Sequence, residues 1–111
     1  MSGITTHVLD TARGRPAADV VVRLEREIEG EFMPIASSRT DADGRARDLT
    51  GPTIDAGVYR ITFETRAYLE RNGAPVFFPE VAITFVVADA LQHFHVPLLL
   101  SPFGYSTYRG S

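Results

Sequence analysis

Apolar and polar residues alternate with a period of two over most of the chain, the spacing that sends successive side chains to opposite faces of a β-strand. Between Asp19 and Ile28, Val20, Val22 and Leu24 share one face, and Val21, Arg23 and Glu25 the other. Gly57 to Glu64 repeats the pattern, with Tyr59, Ile61 and Phe63 opposite Arg60, Thr62 and Glu64. Val81 to Val87 offers Ile83, Phe85 and Val87 as an inward set, and Gln92 to Leu100 offers Phe94, Val96, Leu98 and Leu100. Ile4 to Asp10 is a shorter strand with Ile4, Thr6 and Val8 on one side. Met33 to Thr40 and Tyr105 to Arg109 complete a set of about seven strands, the range of a small sandwich. Turn-forming clusters separate them: Arg13 to Pro16, Glu29-Gly30, Asp41 to Gly44, Gly51-Pro52, Asn72-Gly73 and Ser101 to Gly104. Thr65 to Asn72 breaks the rhythm and reads as one helix of about two turns, with Thr65 as N-cap and Asn72-Gly73 as stop. The pattern predicts an all-β fold, an antiparallel β-sandwich of two sheets with one short helix, as a single domain over residues 1–111.

The phasing leaves one anomaly. If Phe94, Val96 and Leu98 point into the core, His93, His95, Pro97 and Leu99 share the outer face. The same logic turns His7 outward beside Thr5 and Leu9. Two imidazoles followed by proline and leucine do not make an ordinary solvated surface, so either this face is covered by another subunit or the phasing of this strand is different. Two such faces meeting across a symmetric interface would enclose a groove lined by imidazoles and rimmed by apolar groups.

Composition then narrows the chemistry. There is no Cys, hence no thiolate nucleophile and no Cys-ligated metal. There is no Lys, hence no Schiff base and no P-loop lysine; all 11 basic residues are Arg, scattered against 14 acidic ones. That balance excludes a clustered nucleic-acid footprint. Glycine-rich phosphate loops, nucleophile elbows and His-Glu-x-x-His helices are absent. His93 and His95, with His7 or a carboxylate, are candidate metal ligands, and spacing specifies no third one. Asp41-Ala42-Asp43-Gly44 opens like a calcium loop, but Pro52 falls where its twelfth-position Glu belongs, so the segment reads as a turn with Gly44 at positive φ. No apolar stretch approaches the length of a membrane span, and the first residues form no leader, so a cytoplasmic location is expected. Chemistry therefore falls to three His, the Arg, the carboxylates and the hydroxyls.

Three segments carry a resemblance. Thr5-Thr6-His7-Val8-Leu9-Asp10-Thr11 with Gly14-Arg15-Pro16-Ala17, then Thr40-Asp41-Ala42-Asp43-Gly44-Arg45, then His93 through Ser111 resemble the start, middle and end motifs of the transthyretin-like 5-hydroxyisourate hydrolases. Phe94 stands where those proteins frequently have Tyr. The resemblance spans nearly the whole chain and implies a transthyretin-like sandwich assembled as a homotetramer, a dimer of dimers, with active sites in grooves where subunits meet. It implies catalytic roles for His7, Arg45 and His95, and substrate binding by His7, Arg45, Tyr108, Arg109 and Ser111. Arg45 is preferred to Arg47 because it follows Gly44 directly. The terminal Tyr-Arg-Gly-Ser separates these hydrolases from the carrier transthyretin. The implied reaction opens 5-hydroxyisourate without metal or cofactor. Two other readings are a small-ligand carrier on the same scaffold and a zinc-dependent hydrolase using His7, His93 and His95.

Overall fold

The alternating segments fold into strands packed as two facing layers, in a computed structural model that describes residues 3–51 and 53–110. In chain order the elements are β1 (Gly3–Asp10), β2 (Arg15–Pro16), β3 (Val21–Ile28), β4 (Glu31–Arg39), β5 (Arg45–Ala46), β6 (Gly57–Glu64), α1 (Thr65–Arg71), β7 (Val81–Val87), β8 (His93–Ser101) and β9 (Gly104–Thr107). One sheet runs β2-β1-β8-β9 with β5 also paired to β1, and the other runs β4-β3-β6-β7. Their inner faces supply the core. Ile4, Val8, Val22, Leu24, Ile61, Phe63, Leu98 and Leu100 are fully excluded from solvent, as the alternation predicts.

One short strand, β2, lies inside a segment read as a turn, and another, β5, directly follows one. β2 and β5 are two residues each, too short to carry a period. One pairing also departs from the antiparallel rule. β1 and β8 run parallel, in register from Gly3 opposite His93 to Asp10 opposite Leu100. Parallel neighbours cannot be joined by a hairpin, and here most of the chain forms the connection.

Local chemistry explains the corners. Asp19 sits at φ 60, which excludes it from the strand that begins at Val21. Glu29 (φ 53) and Gly30 (φ 84) form the two-residue turn between β3 and β4, both left-handed as such hairpins require. Edge strand β4 carries Pro34 and a bulge opposite Leu24 and Glu25, two devices that blunt an open edge.

The helix starts differently from the expectation. Glu64 occupies the N-cap position without a side-chain cap, and Thr65 lies in the first turn. The buried Thr65 hydroxyl donates instead to the Phe78 carbonyl, fastening the loop that returns to β7. Tyr68 fixes the helix to β1, its hydroxyl donating to Asp10 Oδ2 at 2.7 Å. Burial, and then that bond to Asp10, push the Tyr68 hydroxyl up to about 12. Among the described residues no helix is long and apolar enough to cross a membrane.

Candidate active site

Outward positions of β5, β1 and β8 form one surface. Arg45 on β5 is the direct partner of His7 on β1. Thr5, two residues before His7, is the direct partner of His95 on β8. Directly opposed residues project from the same face, so Arg45, His7, Thr5, His95 and His93 share it, and all three imidazoles are half-buried. Residues far apart in the chain thus meet on one floor. Pro97 is buried and Leu99 half-buried along the same row, giving that floor an apolar border.

The turn before β5 is built to aim Arg45. Asp41 Oδ1 accepts from the backbone N–H groups of Asp43 (2.8 Å) and Arg45 (3.0 Å). Those bonds, the one from Arg45 first, hold the Asp41 carboxyl below its ordinary value despite partial desolvation. Gly44 sits at φ +76, and a Cβ there would stand 2.4 Å from the Val8 carbonyl oxygen. Only glycine lets this turn lie against β1. Arg47 is drawn away, its guanidinium 3.2 Å from Asp41 Oδ2 and largely exposed. No hydrogen bond or ion pair engages the Arg45 guanidinium among the described residues, which leaves its donors for a ligand.

Each imidazole is held by one nitrogen. His7 Nε2 lies 2.8 Å from the Asp43 carbonyl oxygen; a carbonyl only accepts, so Nε2 carries a proton. Thr5 Oγ1 lies 2.8 Å from His95 Nδ1 and 2.9 Å from His93 Nε2. Burial, followed by the nearby Arg45, His7 and His93, lowers the His95 pKa below its ordinary 6.5, so this ring is neutral at neutral pH. Among the described residues no group of three His, Cys, Asp or Glu is placed to hold a metal ion.

The segment after β9 runs back beside β8. Thr107 pairs with Leu98, and Gly110 meets His95 through a backbone bond of 2.8 Å from its N–H to the His95 carbonyl. Between them Tyr108 faces Pro97, which has no N–H to offer, and the Pro97 carbonyl accepts instead from the Thr107 hydroxyl at 2.7 Å. The ladder breaks there. Tyr108 is left 57% exposed, at the rim of an apolar cleft of about 340 Å³ whose lining includes Phe85, Phe94 and Arg109 but none of the three His. Gly110 lies against the imidazole itself, since a Cβ there would be 2.6 Å from His95 Cδ2.

The expected residues are therefore sorted. His7, Arg45 and His95 come together, and Gly110 brings the tail to them. Arg109 turns to the other side, its guanidinium 4.3 Å over the Phe94 ring and donating to Gln92 Oε1 at 2.8 Å, so it anchors the tail rather than facing the imidazoles. Ser111 lies outside the described residues. The sequence does not single out Thr5, offers His93 only as a candidate metal ligand, and gives Gly110 only as part of the terminal motif. The first looks like an ordinary outer-face strand residue, and the contact that demands glycine at 110 exists only after folding.

Comparison with known proteins agrees with this geometry. The profile of the HIUase/Transthyretin family matches residues 4–110. A 5-hydroxyisourate hydrolase of Caulobacter vibrioides is 50% identical over 115 aligned positions, covering 100% of both chains. The structure of Klebsiella pneumoniae 5-hydroxyisourate hydrolase superposes with a TM-score of 0.86 at 43% identity, covering 99% of this chain and 100% of that one. Transthyretin from Sparus aurata superposes with a TM-score of 0.92 at 31% identity, over 99% and 97% of the two chains. Backbone similarity thus extends to the hydrolase and to transthyretin alike, and the side chains must discriminate.

Proposed function

The chain belongs to the HIUase/Transthyretin family, and from that premise we propose that it is a 5-hydroxyisourate hydrolase. The reaction opens an activated cyclic amide, giving 5-hydroxy-2-oxo-4-ureido-2,5-dihydro-1H-imidazole-5-carboxylate. The observation that carries the reading is the convergence of Arg45, His7 and His95 on one sheet face, with the Arg45 guanidinium uncommitted among the described residues.

Water adds to the carbonyl carbon while an imidazole takes its proton. The C–N bond then breaks, and the leaving ring nitrogen takes a proton in turn. His7 and His95 divide these proton transfers, help typically worth about 10²–10⁴-fold. Arg45 faces the developing oxyanion with a permanent planar cation, a contribution of about 3–4 kcal/mol for one such donor in a water-poor site. Substrate binding by Tyr108 and Ser111 is part of the same proposal, while Arg109 holds the tail in place. The reaction calls for neither metal nor cofactor, because the amide is already activated.

The working unit is a homotetramer, a dimer of dimers. The outer face with Pro97 and Leu99 supplies a floor and needs a second subunit for its walls. A carrier on the same scaffold would have no use for a guanidinium beside His7 with no partner among the described residues. A cytoplasmic location goes with this reading and is checked by fractionation of the source cells.

The deciding assay supplies 5-hydroxyisourate freshly made by urate oxidase and follows its absorbance against the spontaneous rate. Acceleration is expected, and its absence would remove the hydrolase reading. His7→Ala and His95→Ala should each cut turnover by orders of magnitude in a folded protein. Arg45→Lys should be poorly tolerated and Arg47→Lys accepted; the reverse would show that the wrong arginine has been chosen.

A further inference from the structure

Thr5 has a single hydroxyl proton and two imidazole neighbours, His95 Nδ1 at 2.8 Å and His93 Nε2 at 2.9 Å. It can donate to only one of them, and its proton has no other acceptor among the described residues, so it donates to one ring and accepts from the other. This couples the proton positions of the two rings. A proton on His93 Nε2 turns the hydroxyl proton toward His95 Nδ1 and leaves the His95 proton on Nε2; the opposite orientation reverses all three.

His93 Nδ1 makes the choice. That atom is buried and has no hydrogen-bond partner among the described residues. A buried N–H without an acceptor is among the rarest defects of folded proteins, so Nδ1 carries the lone pair and Nε2 the proton. We propose that Thr5 is a positioning residue that transmits this choice from His93 to His95, so that His95 meets the substrate through a protonated Nε2, as a hydrogen-bond donor.

His7 is set in the opposite sense. Its Nε2–H is committed to the Asp43 carbonyl, so the lone pair of the neutral ring lies on Nδ1. The two histidines therefore have different tasks. His7 Nδ1 takes the proton of the attacking water as the water oxygen bonds to the amide carbon. His95 Nε2–H and Arg45 donate to the resulting oxyanion. When the C–N bond breaks, the proton on His7 passes to the leaving nitrogen and His7 returns to its starting state. The division of labour rests on the hydrolase reading, whereas the tautomers are properties of the resting protein.

The test uses protein labelled with ¹⁵N at histidine, at about pH 8, above the ordinary imidazole range. Long-range ¹H–¹⁵N correlation spectra should give both His93 and His95 a protonated Nε2 and a bare Nδ1. Thr5→Val should release His95 from that single tautomer and lower kcat about tenfold or more, with KM changed less than about twofold. Thr5→Ser, which keeps the hydroxyl, should restore both. A wild-type His95 protonated on Nδ1 overturns the proposal, as does a Thr5→Val protein with unchanged spectrum and kcat. If Thr5→Val does not fold, the wild-type spectrum still decides. A wild-type protein that leaves the spontaneous rate unchanged would defeat the hydrolase reading alone, with the tautomers still measurable.

Discussion

Burial first, and then the Arg45 guanidinium and the His7 and His93 rings, hold His95 below 6.5. Replacing Arg45 with Gln removes a positive charge that opposes protonation, so the His95 pKa should rise, while burial keeps it short of 6.5. An NMR titration of the two proteins measures the difference, and an unchanged midpoint would show that Arg45 does not face the ring. The same shift bears on stability. Between 6.5 and the lower folded value the unfolded chain binds more protons, so this residue's contribution to stability is lost as pH falls through that window. Gly110 acts on the same ring by contact. Gly110→Ala would place a methyl 2.6 Å from His95 Cδ2 and should reduce kcat about tenfold or more while leaving the melting temperature unchanged. A fully active Gly110→Ala protein would mean that the tail does not press on the imidazole.

Among the elements, the turn leading into β5 does two things, aiming Arg45 and presenting the Asp43 carbonyl to His7. Gly44→Ala should therefore cost stability, about 1–3 kcal/mol from the left-handed backbone alone, and activity as well. Chemical denaturation and turnover measured on the same sample check both. This turn was readable from Asp41 to Gly44 because its chemistry is local. The long strands were readable because burial on one face imposes a period of two. β5 was not, since two residues have no period, and the parallel β1–β8 pairing was not, since alternation looks the same in either direction. Thr65 misled as a cap because its hydroxyl is spent on Phe78. The coupling through Thr5 was illegible for a similar reason: two hydrogen-bond partners nearly ninety residues away leave no local trace.

For the whole molecule, each sheet ends on an open edge, β9 in one and β7 in the other. Phe77 and Val86 are both 63% exposed near that side of the sandwich, and Phe103 is 68% exposed. Apolar groups beside unpaired strand edges invite association. Val86→Glu should shift the proposed tetramer toward smaller species in sedimentation, with activity falling in proportion, because a single chain supplies only the floor of the groove. A fully active monomer would contradict the shared-groove reading.

The parallel pairing of β1 with β8 also has a consequence in time. Thr5 and His95 are separated by 90 positions in sequence, so the reactive surface is a product of very high contact order, the property that slows folding in β-rich domains. During synthesis at roughly 5–20 residues per second, β1 waits on the order of 5–20 s before β8 emerges to cover its edge. Throughout that interval a half-made sheet is open to the wrong partner. The yield of active protein should therefore respond to elongation rate and to holding chaperones more sharply than its equilibrium stability would suggest.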